Sequence, residues 1–326
     1  MMNIQSMAGI AAALAAAVPL MTAAGAATYP DKPIRLIVPQ QPGSSNDTVS
    51  RVLAQQLGEA LGQQFVIDNR PGAGGIIGME LGARAIADGY TLIATATAPH
   101  VIAPHTHRKI SYDPFGDFIP ISLYGVTYNV LVTFPGMAVK NVAELVAAAK
   151  ARPGFFLVSN AGAGSQSHLA CVIFAAKAGI ELTHVPYKGG AASVTAAMAN
   201  EVQFTITPLP ATLQHIRAGR LKAVAVAAKQ RTAVAPDIQT FAESGFPGFE
   251  SSGWNGLLAP QGTPRPIVDK LYAALHQLAA APALNEQFAR QGAEVVTTTQ
   301  AAFARFLREE YDSFGRAVKA AKLTVE

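Results

Sequence analysis

Ile34-Arg35-Leu36-Ile37-Val38-Pro39 is a short, apolar, β-branched run, and Gln40-Gln41-Pro42-Gly43-Ser44-Ser45-Asn46-Asp47 follows it directly. After that polar turn, Val49, Val52, Leu53, Leu57 and Leu61 recur at helical spacing, so the segment reads as strand, turn, helix. Residues 65–69 read as a second strand, 70–75 as a Gly-rich turn, 76–87 as a helix and 90–95 as a third strand. This βαβαβ order predicts a parallel sheet with helices on both faces. The same grammar restarts at Val130, with strands over 131–134 and 155–159, a helix over 142–151 and, after a Gly/Ser turn, a helix over 167–178. Further strands are expected at 183–185, 203–207 and 222–227, and beyond Pro264 two helices, 266–280 and 300–321. The fold class expected is α/β in two lobes, each a mostly parallel sheet flanked by helices.

A chain of 326 residues is long enough for two domains, each with its own core. Half of it is hydrophobic and 14% is charged, which excludes wholesale disorder. The net charge of +4 comes from singly scattered Lys and Arg, and aromatics make up 7%. Nothing here offers nucleic acid a basic track or a stacking platform. Cys171 is the single cysteine, so an internal disulfide and a cysteine zinc knuckle are both excluded.

Residues 7–27 carry no charge, are mostly Ala with Leu, Ile, Val and Met, and end on Ala24-Gly25-Ala26. They read as an export signal over 1–27, cleaved at the small residues, and the mature chain is expected in the periplasm. Pro19 interrupts the stretch, which argues against a membrane anchor. Met1 to Ser6 holds no Lys or Arg, a departure from the usual signal. No Cys follows the small residues, which excludes a lipoprotein anchor.

Open parallel sheets bind ligands beyond the carboxyl ends of their strands. Two turns there, Gly43-Ser44-Ser45-Asn46-Asp47 and Gly162-Ala163-Gly164-Ser165-Gln166-Ser167-His168, each lead into a helix. Free helix N-terminal amides and small hydroxyls can hold an anion without a cationic side chain. The plainer reading makes Asn46 or Asp47, and Ser167, simple N-caps. Asp47 would repel an anion unless it points inward as a cap or meets an ammonium.

Sharper catalytic motifs fail. In Gly72-Ala73-Gly74-Gly75-Ile76-Ile77-Gly78 the third glycine of a dinucleotide fingerprint arrives one residue late. Gly164-Ser165-Gln166-Ser167 lacks the closing glycine of a nucleophile elbow. His168 and Cys171 are three apart on a helix, a spacing that suits core packing better than a nucleophile pair. His100, His105, His107 and Asp113 lie in an irregular Pro-containing stretch without helical ligand spacing. Neither a metal nor a cofactor is expected, and the chain is not read as an enzyme.

Tyr29-Pro30-Asp31-Lys32-Pro33-Ile34-Arg35, Val66-Ile67-Asp68-Asn69-Arg70-Pro71-Gly72-Ala73-Gly74-Gly75, Asp88-Gly89-Tyr90-Thr91-Leu92 and His184-Val185-Pro186-Tyr187-Lys188-Gly189 resemble signatures of the Bug family. These are the extracytoplasmic solute-binding receptors of tripartite tricarboxylate transporters. The resemblance continues through Gly253-Trp254-Asn255-Gly256-Leu257-Leu258-Ala259-Pro260 and Gly292-Ala293-Glu294. It covers essentially the whole chain after the export segment.

The resemblance implies a two-lobed Venus flytrap similar to type II periplasmic binding proteins. Lobe I would comprise 28–128 and 252–326 and lobe II 129–251, with hinges near 124–129 and 250–254. It implies a monomeric receptor that passes a small carboxylate to the membrane subunits of its transporter. One jaw would include Gln40, Gly43, Ser44, Ser45, Asn46 and Asp47. The other would include Ala161, Gly164, Ser165, Gln166, Ser167 and His168, with Thr97 and Thr207 lining the same cleft. The first turn departs from the family's usual Pro-Gly-Gly by reading Pro42-Gly43-Ser44, and Thr207-Pro208 stands where many relatives carry Asp-Asn. Thr207 cannot pair an ammonium as Asp would, which favours a plain mono- or dicarboxylate over an amino acid. Trp254 and Tyr187 leave room for an aromatic acid. A ligand sensor for a membrane signalling system is the alternative function, and an α/β hydrolase a more distant one.

Overall fold

The computed structural model describes residues 29–321 and Leu323, so the expected export segment lies outside the described residues. Among the described residues, no helix is long and apolar enough to cross a membrane. The first half runs β1 (Ile34–Val38), α1 (Ser45–Leu61), β2 (Phe65–Asn69), α2 (Ile76–Ala83), β3 (Thr91–Ala96), α3 (Ala103–Thr106) and β4 (Phe118–Thr133). Next come α4 (Val142–Ala151), β5 (Leu157–Asn160), α5 (Gln166–Ala178), β6 (Thr183–Pro186), α6 (Gly190–Met198), β7 (Phe204–Pro208), α7 (Leu213–Arg217) and β8 (Lys222–Val226). The chain closes with β9 (Ser252–Pro260), α8 (Arg265–Ala280), α9 (Pro282–Arg290) and α10 (Gln300–Ala320).

The strands are ordered β2-β1-β3-β9-β4-β7-β5-β6, with β8 also on β4. In lobe I, β1 lies between parallel β2 and β3, with Ile34 opposite Phe65 and Arg35 opposite Thr91. In lobe II, β5 lies between parallel β6 and β7. The lobe I trio is the βαβαβ unit read from the sequence; in lobe II the parallel trio is β6, β5 and β7, and the strand expected at 131–134 instead joins antiparallel to β7 and β8 as part of β4. The antiparallel part follows from β4, which is 16 residues long. Its first part, Phe118 to Tyr128, pairs with β9, whereas Asn129 to Thr133 pair with β7. One continuous strand therefore serves both lobes, with β9 beside it on the return.

The cores follow the same division. In lobe I, Leu53 and Leu57 of α1 are fully buried with Leu271 and Leu275 of α8. Phe303 and Leu307 of α10 cover the other face with Ile93 and Leu258. In lobe II, Phe174 of α5 packs on Phe204 and Phe241. Val194 and Ala197 of α6 pack with Val202 and Leu209 on the opposite face. Helices on both faces satisfy each sheet's two apolar surfaces, which is why its strands read as continuous apolar runs rather than alternating ones. Gln214 and Arg217 of α7 donate to the Arg290 carbonyl at the end of α9, tying lobe II to lobe I.

Candidate functional site

The two polar turns share one local geometry. Gly43 adopts φ +75° and Ser44 is extended; the Ser44 hydroxyl accepts from the Asp47 amide at 3.2 Å. Gly164 adopts φ +74°, Ser165 is extended, and its hydroxyl accepts from the His168 amide at 3.2 Å. A left-handed glycine followed by a serine cap thus opens α1 and α5 alike. The caps are Ser44 and Ser165, which corrects the reading that assigned capping to Asn46, Asp47 or Ser167. Capping satisfies the third helical amide in each case. The amides of Ser45, Asn46, Gln166 and Ser167 make no hydrogen bond to any described residue, so each helix presents two donors and the positive end of its dipole.

Both turns border one cleft of about 420 Å³, within the range typical of small-molecule sites. Of the expected residues, Gln40, Ser44, Ser45, Asn46, Ala161, Ser165, Gln166, Ser167 and Thr207 line it. Gly43, Asp47, Thr97, Gly164 and His168 do not. Asp47 is 3% exposed and points inward: its carboxylate accepts from the Gly43 amide, Arg51 and the Asn69 side chain. Arg51 thus pairs the carboxylate that would have repelled an anion, and the Gly43 amide is held to it at the turn's corner. The Thr97 hydroxyl accepts from the Trp254 amide at 2.9 Å, so its neighbours Ala96 and Ala98 face the cleft instead.

In the second turn, Gly164 donates its amide to His168 Nδ1 at 3.2 Å, and the His168 ring stands edge-on to His184 at 5.1 Å. Burial, with the neighbouring His184 ring, pushes the His168 pKa down to about 4. His168 therefore braces the loop as a neutral acceptor rather than as a cation. The Asn46 side chain is taken up by the core. Its side-chain amide donates to the Ala94 carbonyl at 2.8 Å, and its oxygen accepts from Ser50 and the Tyr124 hydroxyl.

The structure adds residues that the sequence reading left unassigned. Gln41 packs against Gly189 and Gly43 faces Ala191, so the first turn meets the N-terminus of α6 across the mouth, with Lys188 at its rim. Lys188 belongs to a quoted motif, yet a lone surface lysine gave no signal. The turn 71–75 and His107 form another wall. Trp254, already named with Tyr187 for an aromatic acid, lines the cleft with Asn255 of β9 whereas Tyr187 does not, and Asn255 is 2% exposed yet makes no side-chain hydrogen bond to any described residue. The available sequence signal was a single amide in the otherwise apolar run Trp254-Asn255-Gly256-Leu257-Leu258. Among the described residues no Asp or Glu lines the cleft.

The histidine-rich stretch does not assemble a metal site. Among the described residues no group of three His, Cys, Asp or Glu could hold an ion. His100 sits among Phe115, Phe118 and Trp254, with ring centroids 6.1 to 6.3 Å away. Burial pushes its pKa down to about 3, which the Pro114 backbone opposes only weakly. His105 bonds the Tyr311 carbonyl and His107 the Ala103 carbonyl. Cys171 is buried in the lobe II core, and burial pushes its thiol up to about 12, which rules out a thiolate nucleophile.

Residues 49–323 match the model of the tripartite tricarboxylate transporter family receptor. BugT of Bordetella pertussis is 37% identical over 293 residues, 90% of either chain. Among solved structures, an R. palustris protein with adipate superposes with a TM-score of 0.87 at 31% identity, covering 91% of this chain and 99% of its own. MatC from Rhodopseudomonas palustris with bound malate gives 0.81 at 30% identity, covering 89% and 100%.

Proposed function

This chain belongs to the tripartite tricarboxylate transporter receptor family, whose members are solute-binding receptors and not enzymes, and we propose that it captures a small carboxylate between its two lobes. The observation that carries this reading is the charge of the cleft: four unpaired helix N-terminal amides and Lys188 border it, and among the described residues no Asp or Glu does. A carboxylate there gains charge-assisted hydrogen bonds from amides that are already oriented. The relatives solved with adipate and malate support the same ligand class for this chain. Ser45 and Thr207 carry hydroxyls that no described residue uses, and they complete the donor set beside Gln40 and Gln166.

The hinge lies where β4 exchanges partners, at Tyr128 and Asn129, and where β9 begins, at Ser251 and Ser252. That placement divides the chain into lobe I, 28–128 with 252–326, and lobe II, 129–251. The ligand favours the closed state to the extent that it binds that state better. Closure then presents a joint surface to membrane subunits of a transporter in the periplasm. The cleft is complete within one chain, which supports a monomeric receptor.

The test is thermal melting of the protein, unfolded and refolded to strip carried-over ligand, against mono-, di- and tricarboxylates, aromatic acids and amino acids. A ligand at 100 times its dissociation constant adds about 2.7 kcal/mol, which raises the midpoint by several degrees. Trp254, the single tryptophan, lines the cleft and gives an independent fluorescence readout. A shift confined to carboxylates is the expected result. A well-folded protein that responds to none of them refutes the reading.

A further inference from the structure

Asn255 presents a carboxamide to the cleft that no described residue hydrogen-bonds. It sits on β9 opposite Ala96 of β3 and Gly125 of β4, flanked on the cleft floor by Gly253 and Trp254. It is 2% exposed, lines the cleft, and its carboxamide bonds to no described residue. Its carboxamide is not sealed in the protein but opens to the cleft, unlike the Gln166 Nε2 beside it, which is buried without a partner. The apolar Ala96 and the glycines around Asn255 supply no partner. The partner must therefore come from what fills the cleft.

A carboxamide offers one acceptor oxygen and a donor NH₂. A carboxylate can satisfy only the donor. An ammonium can satisfy only the acceptor, and with no Asp or Glu in the lining its charge would go unmatched. A hydroxyl both donates and accepts, so it can satisfy either half of the amide without adding charge. Thr207, 1% exposed on the lobe II side, contributes another neutral hydroxyl rather than a counter-ion.

We propose that Asn255 is a specificity-determining residue that selects acids bearing a hydroxyl near the carboxylate over the matching unsubstituted and amino acids. This rests on the carboxylate reading above and deepens it to hydroxy acids. Sites built to hydrogen-bond a substrate hydroxyl reject analogues that lack it because the site's own polar groups are left unpaired.

The experiment titrates wild type, Asn255→Ala and Asn255→Asp with two matched series: succinate, malate and aspartate, and 3-phenylpropionate, 3-phenyllactate and phenylalanine. Trp254 fluorescence and calorimetry give the affinities. In at least one series, wild type is expected to bind the hydroxy acid tenfold or more tighter than the unsubstituted acid, and Asn255→Ala to bring that ratio close to one. Asn255→Asp should move preference toward the amino acid, a gain of function that misfolding cannot imitate. Carboxylate binding with a hydroxy-to-plain ratio unchanged in Asn255→Ala overturns this proposal and leaves the carboxylate reading standing. A folded wild type that binds another carboxylate of the wider panel but none of the six overturns this proposal alone, and one that binds no carboxylate overturns both.

Discussion

Replacing Asn46 by Ala separates the two jobs that the first turn performs. The Asn46 side chain makes three hydrogen bonds, to the Ala94 carbonyl, Ser50 and the Tyr124 hydroxyl. All of them lie where Asn46, Ser50 and Tyr124 are 1%, 0% and 0% exposed. Ser50 and Tyr124 keep their mutual contact at 2.8 Å, but the Ala94 carbonyl loses its side-chain donor. At about 1 kcal/mol for each bond, the loss is about 3 kcal/mol, before any contribution from the vacated space. At about 2 °C per kcal/mol for a chain of this size, the midpoint should fall by about 6 °C. The backbone amide that faces the cleft is retained, so a carboxylate that stabilises wild type should raise the variant's midpoint by a similar increment. Differential scanning calorimetry with and without that ligand measures both quantities. A variant that melts like wild type but no longer responds to ligand would refute the assignment of Asn46 as a strut and make its side chain a ligand contact.

Three further outcomes follow from the geometry. Ser45→Trp puts a large ring on a side chain with no structural hydrogen bond at the cleft wall, so ligand-induced shifts should vanish while the unliganded midpoint stays within about 2 °C. Gly256→Ala drives a Cβ to 2.2 Å from Phe303 Cζ; overpacking of this kind costs about 1–3 kcal/mol, and urea unfolding should show it. His100 has a folded pKa lowered from 6.5 to about 3 by burial, so the unfolded chain binds more protons between those values and stability falls as pH drops below 6.5. Between pH 7.5 and 5 that group costs about 2 kcal/mol; His100→Phe should remove that part of the acid sensitivity, and an equal drop in the variant would show that other groups carry it.

The elements legible in the sequence were those whose signal is local. Residues 142–151 fill α4 because an Asn cap, first-turn Glu144 and last-turn Lys150 all mark its bounds. The βαβαβ order came through because buried parallel strands are unbroken apolar runs. The long β4 was legible only over its last residues, since Phe118 to Tyr128 carries Pro120 and Gly125 and pairs with β9, far away in sequence. Expected helix 76–87 stops at Ala83; Gly82 packs where any Cβ would collide with Ile93, a tertiary constraint that no window average contains. Helices α6 and α9 went unnoticed for a different reason. The first begins on Gly189-Gly190 and the second on Pro282, residues that otherwise punctuate chains.

The site divides along the same line. Helix N-termini announce themselves in a handful of adjacent residues, so both turns were found, and even the inward alternative for Asp47 was visible before its partners Asn69 and Arg51 were. Which residues of a turn turn toward the ligand is decided elsewhere. Asn46 faces the core because Ala94 and Tyr124 are there to receive it, and Thr97 faces away because the Trp254 amide needs an acceptor. Asn255 is the converse case. It looks like any amide within a strand, and only the closure of β3 and β4 on either side of it, under a cleft without carboxylates, leaves its side chain unpaired. Polar residues whose partners are fixed by the fold act as scaffold, and those that the fold leaves unpaired at the cleft are the contacts proposed for the ligand. On the proposed reading the expected contacts are therefore Ser45, Gln166, Thr207 and Asn255, which line the cleft without a protein partner, rather than Asn46, Asp47, Thr97 and His168, although the latter four looked equally polar in the sequence.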